Sequence, residues 1–327
     1  MKTTLVSITT DTIPLDGAWH EPDSETNRGT VRGAVLLFHG NTMNFYTGAP
    51  RFLPPVLTRL GYACLAFNRR GHDILAIRNS RGAEGAAFQT YAEAIEDNRL
   101  AARWLAKQGF PEPIVIGHSN GGTLAVRHVA DHPKTPKLVL LSAHCGGRNM
   151  LPLASKAGLL AKENLAEKLN EAKGLVEKGR ARELMLLPGW WYAITAESFL
   201  DLTNCPDILE LAPKIGCPVL YVRGGEEPRD LYPAEEFQKR CKGACAVEIV
   251  PDADHFYNRH EERAFRVENR PQPAARTLQR RRSDAPEVPA LARHGIEAGV
   301  VALQVAHRRG ADPDHASQRE TMPATRS

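Results

Sequence analysis

The sequence is short of several things, and each shortage excludes a class of protein. No apolar run approaches the roughly 18 to 20 residues needed to cross a bilayer, so a membrane span is not expected. The opening stretch MKTTLVSITTDTIPLDG lacks the apolar core and small-residue cleavage site of a secretory signal, which points to a soluble, cytoplasmic protein. Charge of one sign is scarce: 42 Lys and Arg stand against 38 Asp and Glu, a formal net charge of +4. The first 270 residues hold no basic patch interleaved with aromatics, so nucleic acid is not an expected partner. Cysteine is sparse and irregularly placed. Cys64, Cys145, Cys205, Cys217, Cys241 and Cys245 fit neither a disulfide framework nor a zinc site. They read as structural thiols, since free Cys behaves as a small buried hydrophobe. No metal and no cofactor is expected.

What is present is enough apolar material for a substantial core. Hydrophobic residues make up 42% of 327, which suits one large α/β domain or two small ones. Short apolar runs alternate with helix-like stretches. The strand candidates are residues 34–40, 63–71, 113–119, 137–143, 218–225 and 246–252. Several stay apolar for four or five residues, as strands do when helices cover both faces of a parallel sheet. Helical periodicity with glycine stops marks 50–62, 91–109, 121–132 and 232–243. Strand–helix–strand repetition implies right-handed crossovers and a doubly wound, mostly parallel α/β sheet. The first 20 residues alternate and turn, which predicts an antiparallel hairpin at the sheet edge.

Two segments break the alternation. Residues 148–214 read as helical, with apolar positions at Leu160, Leu165, Leu169 and Val176. A helical cap inserted there, between the sixth and seventh strands, would sit over the carboxyl ends of the strands, where open α/β sheets bind ligands. The expected organisation is thus a core of 1–147 and 215–270 with a lid of 148–214. From about residue 271 the composition changes: no Phe, Trp or Tyr follows Phe265 and no Lys follows Lys242. Residues 271–327 are expected to be a disordered or aberrant tail that buries little apolar surface.

The stretch PIVIGHSNGGTLAVRHV, residues 113–129, carries the chemistry. Gly117-His118-Ser119-Asn120-Gly121 fits G-x-S-x-G between a strand and a helix. A nucleophile elbow holds its serine in a strained backbone conformation on a sharp turn, and side chains two residues to either side would collide. The helix N-terminus favours negative charge developing nearby. A serine hydroxyl needs a base, and the base needs an orienting group. His118 adjoins the serine, but neighbours on such a turn point apart. His255 follows a strand by the short loop PDADHFY and can hang from the carboxyl edge of the sheet, with His260 the fallback. The acid is sought after another strand at that edge, where RGGEEPRD offers Glu227, then Asp230, then Glu226. The tetrahedral oxyanion of acyl transfer needs donors. The Asn120 amide is one, and the Asn41 or Thr42 amide after Gly40 is the other.

In order, strand–HGN, strand–NRRGH, the elbow GHSNGG, a helical insertion, RGGEEP and DADHFY resemble the α/β-hydrolase family over about residues 5–265. The chain order Ser…acid…His is that of the family. The resemblance implies Ser119 as nucleophile, His255 as base, Glu227 as acid, and Arg69 and Arg70 as structural residues of a turn. It also implies a final helix on the sheet, which NRHEERAFRVENR begins and Pro271 stops. The expected activity is hydrolysis of an ester, thioester or amide of a small to medium, partly apolar substrate. Trp190, Trp191 and Tyr192 are candidates for an apolar pocket. A non-catalytic protein of the same fold, or C–C bond hydrolysis or perhydrolysis on the same machinery, are the alternatives.

Overall fold

A computed structural model describes residues 1–22, 31–77, 82–189 and 193–257. Eight strands form one sheet: β1 Lys2–Ile8, β2 Leu15–Glu21, β3 Gly33–Phe38, β4 Tyr62–Phe67, β5 Ile114–His118, β6 Leu138–Leu141, β7 Val219–Gly224 and β8 Cys245–Val250. Their spatial order is β1-β2-β4-β3-β5-β6-β7-β8. The hairpin β1–β2 is antiparallel and β2 pairs antiparallel with β4; from β4 to β8 all pairings are parallel. The doubly wound, mostly parallel sheet and its edge hairpin therefore match the sequence reading.

The continuous apolar strands follow from burial on both faces. In β3, Leu36 and Phe38 face one layer while Val35 and Leu37 face the other. The first layer is built by helices α2 (Tyr91–Lys107), α3 (Asn120–Asp131), α7 (Ile208–Leu211) and α8 (Ala234–Arg240), through residues such as Leu105, Val126, Ile208 and Phe237. On the opposite face α1 (Ala49–Arg59) packs Leu53 and Leu57 against the sheet, and Ala253 and Tyr257 join them. Helix α2 starts cleanly because Thr90 and Glu93 form a reciprocal capping box. That start fixes Tyr91 at the carboxyl edge of the sheet.

Between β6 and β7 the chain forms α4 (Met150–Lys156), α5 (Leu165–Glu177) and α6 (Ala196–Asp201). This segment is not helical throughout, contrary to the sequence expectation: Leu184–Leu186 and Ala193–Thr195 pair as an antiparallel ribbon. The helical run already ends with α5, just before Gly179 (φ +74°); Gly189, between the two strands of the ribbon, has φ +109°, and a β-carbon there would collide with the Leu159 carbonyl. The segment has its own apolar cluster, including Met150, Leu160, Met185 and Phe199, which packs on Tyr91 and Leu124 of the core. The Tyr91 amide donates to Asp201 at 2.6 Å, and the Thr195 amide to the Ala87 carbonyl at 2.8 Å. No described helix is long and apolar enough to cross a membrane. The final helix expected from NRHEERAFRVENR and the tail 271–327 lie outside the described residues, as do His260, Trp190, Trp191 and Tyr192.

Candidate active site

Ser119 stands between β5 and α3 with φ 55° and ψ −125°, a conformation L-residues seldom adopt. Two forces hold it there. Its amide donates to the Leu141 carbonyl of β6 at 2.8 Å, and its own carbonyl accepts from the amides of Gly122 and Thr123. The flanking glycines are required by space. A β-carbon on Gly117 would run into the Gly121 carbonyl, and one on Gly121 into the carbonyls of Phe38 and His39. The elbow is thus wedged against the end of β3.

The loop after β8 brings His255 to this serine. His255 Nε2 lies 2.8 Å from Ser119 Oγ, and its Nδ1 lies 2.6 Å from Glu227 Oε1. A carboxylate only accepts, so Nδ1 carries the proton and Nε2 is left bare to accept from the serine hydroxyl. Glu227, Ser119 and His255 are each less than 8% exposed. Of the three carboxylates after β7, Glu227 alone points inward; Glu226 and Asp230 are exposed.

The acid is itself held on every side. Its second oxygen, Oε2, accepts from Ser142 Oγ and from the Gly224 amide, both at 2.6 Å. Ser142 Oγ is 2.6 Å from the Tyr257 hydroxyl, which donates to the Val222 carbonyl at 3.2 Å. The buried Arg223 guanidinium donates to the Glu227 carbonyl at 3.0 Å and to Glu235 at 3.1 Å. Sequence reasoning missed Ser142, Tyr257 and Arg223. The signal for Ser142 was present: a polar residue immediately past a buried strand at the carboxyl edge.

His118 packs against the base and makes no hydrogen bond to Ser119. Its Nε2 donates to the His255 carbonyl at 3.0 Å and its ring lies 5.0 Å from that of His255. Burial, and then His255, push its pKa down to about 3, so it stays neutral. Tyr232 packs its ring 5.0 Å from His255 on another side. His39, just after β3, accepts the Arg69 amide at Nε2 (3.1 Å), and the Arg69 guanidinium donates to the His39 carbonyl at 2.7 Å. Arg70 pairs with Asp97 at 2.9 Å. Both arginines thus tie the turn down, as the sequence reading held.

The expected oxyanion donors lie at the same place. Asn120 is the first residue of α3, where an amide has no intrahelical acceptor. Asn41, after β3, lines a pocket together with Ser119 and Asn120. The space in and at the mouth of that pocket is about 480 Å³, part of it open solvent, and no Asp, Glu, Lys or Arg among the described residues lines it. Its apolar wall comes mainly from the inserted segment, through Met150, Ala154, Leu159 and Leu160.

A family model for the α/β-hydrolase family matches residues 35–268. The chain belongs to the α/β-hydrolase family. Solved structures share the fold. Est1E from Butyrivibrio proteoclasticus, with ferulic acid bound, superposes with a TM-score of 0.58 at 20% identity, over 79% of this chain and 93% of that one. A highly thermostable carboxyl esterase from Bacillus coagulans gives 0.55 at 15% identity, over 77% and 91%. The α/β hydrolase GrgF from Penicillium sp. sh18 gives 0.58 at 13% identity, over 78% and 91%. No match is found among curated proteins. As in other α/β hydrolases, the site lies where the strands end. Among the described residues no group of three His, Cys, Asp or Glu is arranged to hold a metal ion. The cysteines are free, and burial raises the thiols of Cys145 to about 12 and Cys217 to about 11, which keeps them protonated.

Proposed function

We propose that this α/β hydrolase is a serine hydrolase that cleaves an ester, thioester or amide bond of a small to medium, partly apolar substrate. The observation that carries this reading is the unbroken hydrogen-bonded line Ser119–His255–Glu227, with the imidazole in the tautomer that a general base needs. Ser119 Oγ attacks the substrate carbonyl carbon as His255 Nε2 takes its proton. The carbonyl oxygen becomes an oxyanion between the amides of Asn41 and Asn120. When the tetrahedral centre collapses, the leaving atom departs with the proton from His255, and the acyl group remains on Ser119. Water then attacks the acyl-enzyme, gives its proton to His255, and Ser119 recovers it as the acid is released. Glu227 stabilises the imidazolium in both halves without itself taking the proton. Residues 148–214 act as the cap on a core of 1–147 and 215–270, and they supply the apolar side of the pocket.

A fluorophosphonate probe tests the reading. Wild type becomes labelled and Ser119→Ala does not. A folded wild type that resists the probe would overturn the assignment.

A further inference from the structure

His144 lies two residues past Ser142, in the loop after β6, and forms part of the same pocket wall as Ser119. The Gly146 amide donates to its Nδ1 at 3.2 Å. An amide N–H is only a donor, so Nδ1 presents its lone pair and the neutral ring carries its proton on Nε2. Protonating Nδ1 would turn N–H against N–H. Burial, and then His255, also push the pKa of His144 down to about 3. The ring therefore stays neutral and keeps this tautomer, even when His255 is cationic. Its Nε2–H has no acceptor among the described residues, and it is not sealed away from solvent.

Besides His144, the wall carries the side-chain amides of Asn41 and Asn120, and the buried Asn41 Nδ2 has no hydrogen-bond partner among the described residues; the other side chains offer little. Met150, Ala154, Leu159, Leu160 and Leu231 offer no strong hydrogen bond. Ser119 is engaged with His255, and the Tyr91 hydroxyl donates to Asn120 Oδ1 at 3.0 Å. Tyr232 has a hydroxyl that can turn to donate or accept, so it favours neither partner. His144 can only donate, and its direction is fixed by the Gly146 amide.

Resting on the serine-hydrolase reading, we infer that His144 is a specificity-determining residue: its Nε2–H recognises a neutral acceptor oxygen in the buried, otherwise aliphatic part of the substrate. The chemical class is an uncharged ester whose chain carries an ether, hydroxyl or carbonyl oxygen close to the scissile bond. A plain alkyl ester leaves this donor unpaired in an apolar pocket, which is the arrangement that discriminates most strongly against the analogue lacking the oxygen.

The test uses p-nitrophenyl hexanoate and its analogues with one chain methylene replaced by oxygen at successive positions. kcat/KM is measured for wild type, His144→Leu and His144→Gln, the last keeping a neutral N–H donor. The wild-type-to-Leu ratio should be about tenfold larger for one oxa-ester than for hexanoate, the scale of one neutral hydrogen bond. The Gln variant should recover much of that excess. Ratios equal across all the esters would overturn the role of His144. Should the Leu variant fail to fold, loss of the oxygen preference in a folded Gln variant overturns it equally. Fluorophosphonate labelling separates the two levels. Labelling that persists while the ratios stay flat removes only the His144 inference; an unlabelled folded wild type removes the hydrolase reading with it.

Discussion

The body of the sheet and its carboxyl edge are built on opposite principles. In the body, β3 to β7 are almost wholly buried, apolar but for His118 and Arg223 near the carboxyl ends of β5 and β7, and free of left-handed backbone outside glycine. Just beyond the strand ends the pattern reverses. Thr42, Asp73, Ser119, Ser142 and Asp252 follow β3, β4, β5, β6 and β8, and all have positive φ. Buried polar groups gather there too: His39, Ser119, Ser142, Glu227 and His255. Apolar burial supplies stability, and it is spent locally on holding strained backbone and desolvated polar groups where chemistry takes place. The lesson is a division of labour: substitutions at the edge should change rates, and substitutions in the body should change stability.

The largest effect is expected from the edge. Glu227→Gln should lower kcat by about 10³ to 10⁴, the scale for a triad acid that no longer fixes its histidine, while Asp230→Asn and Glu226→Gln stay close to wild type in the same assay. Equal losses in all three would erase the distinction between the buried carboxylate and the exposed ones. In the body, Leu65→Ala removes a side chain that is 0% exposed in β4. It should cost about 2 to 5 kcal/mol in urea unfolding, with kcat of the folded protein at 25 °C little changed. A large fall in kcat with unchanged stability would break the division.

The smallest effect tests buried neutral histidines. His128, on α3, packs edge-on against Phe38 with centroids 5.6 Å apart and stacks on His132. Burial, and then His132, lower its pKa from 6.5 to about 3. The folded value lies below the unfolded one, so the unfolded chain binds the proton more readily. Stability from this group is complete above the unfolded value of 6.5 and is lost as pH falls toward 3. His118 and His144 act with the same sign. His128→Phe should flatten the acid slope of the unfolding free energy by up to about 1.4 kcal/mol per pH unit. An unchanged slope would show that His128 is charged in the folded protein.

The same contrast explains what the sequence made legible. Periodicity and length located the parallel strands β3 to β8 to within a few residues, and the edge hairpin without strand bounds; β3 to β7 were the clearest, because a strand buried on both faces must be largely apolar. The elbow was legible because its glycines are demanded by space. His255 and Glu227 were reached from their distance past a strand end, which topology converts into a position at one edge. The support around the acid was not legible. Ser142 meets Glu227 across 85 positions and Tyr257 meets Ser142 across 115 (227 − 142, 257 − 142), and no local pattern records such meetings; Arg223, four residues before Glu227, reads in the sequence as one more position of β7. The ribbon inside the inserted segment was missed for a related reason: its two strands are three residues long, too short for a period to declare itself.

The hydrogen bond between His255 and Ser119 spans 136 positions of the chain. A partly folded intermediate with β3, β5 and β6 paired would already show much of the native circular dichroism and would hold the serine. On the serine-hydrolase reading proposed above, it would hydrolyse nothing until β8 docked beside β7 and brought the imidazole into place. Recovery of turnover during refolding is therefore a clock for the last long-range closure of the sheet, and it should trail the recovery of secondary structure.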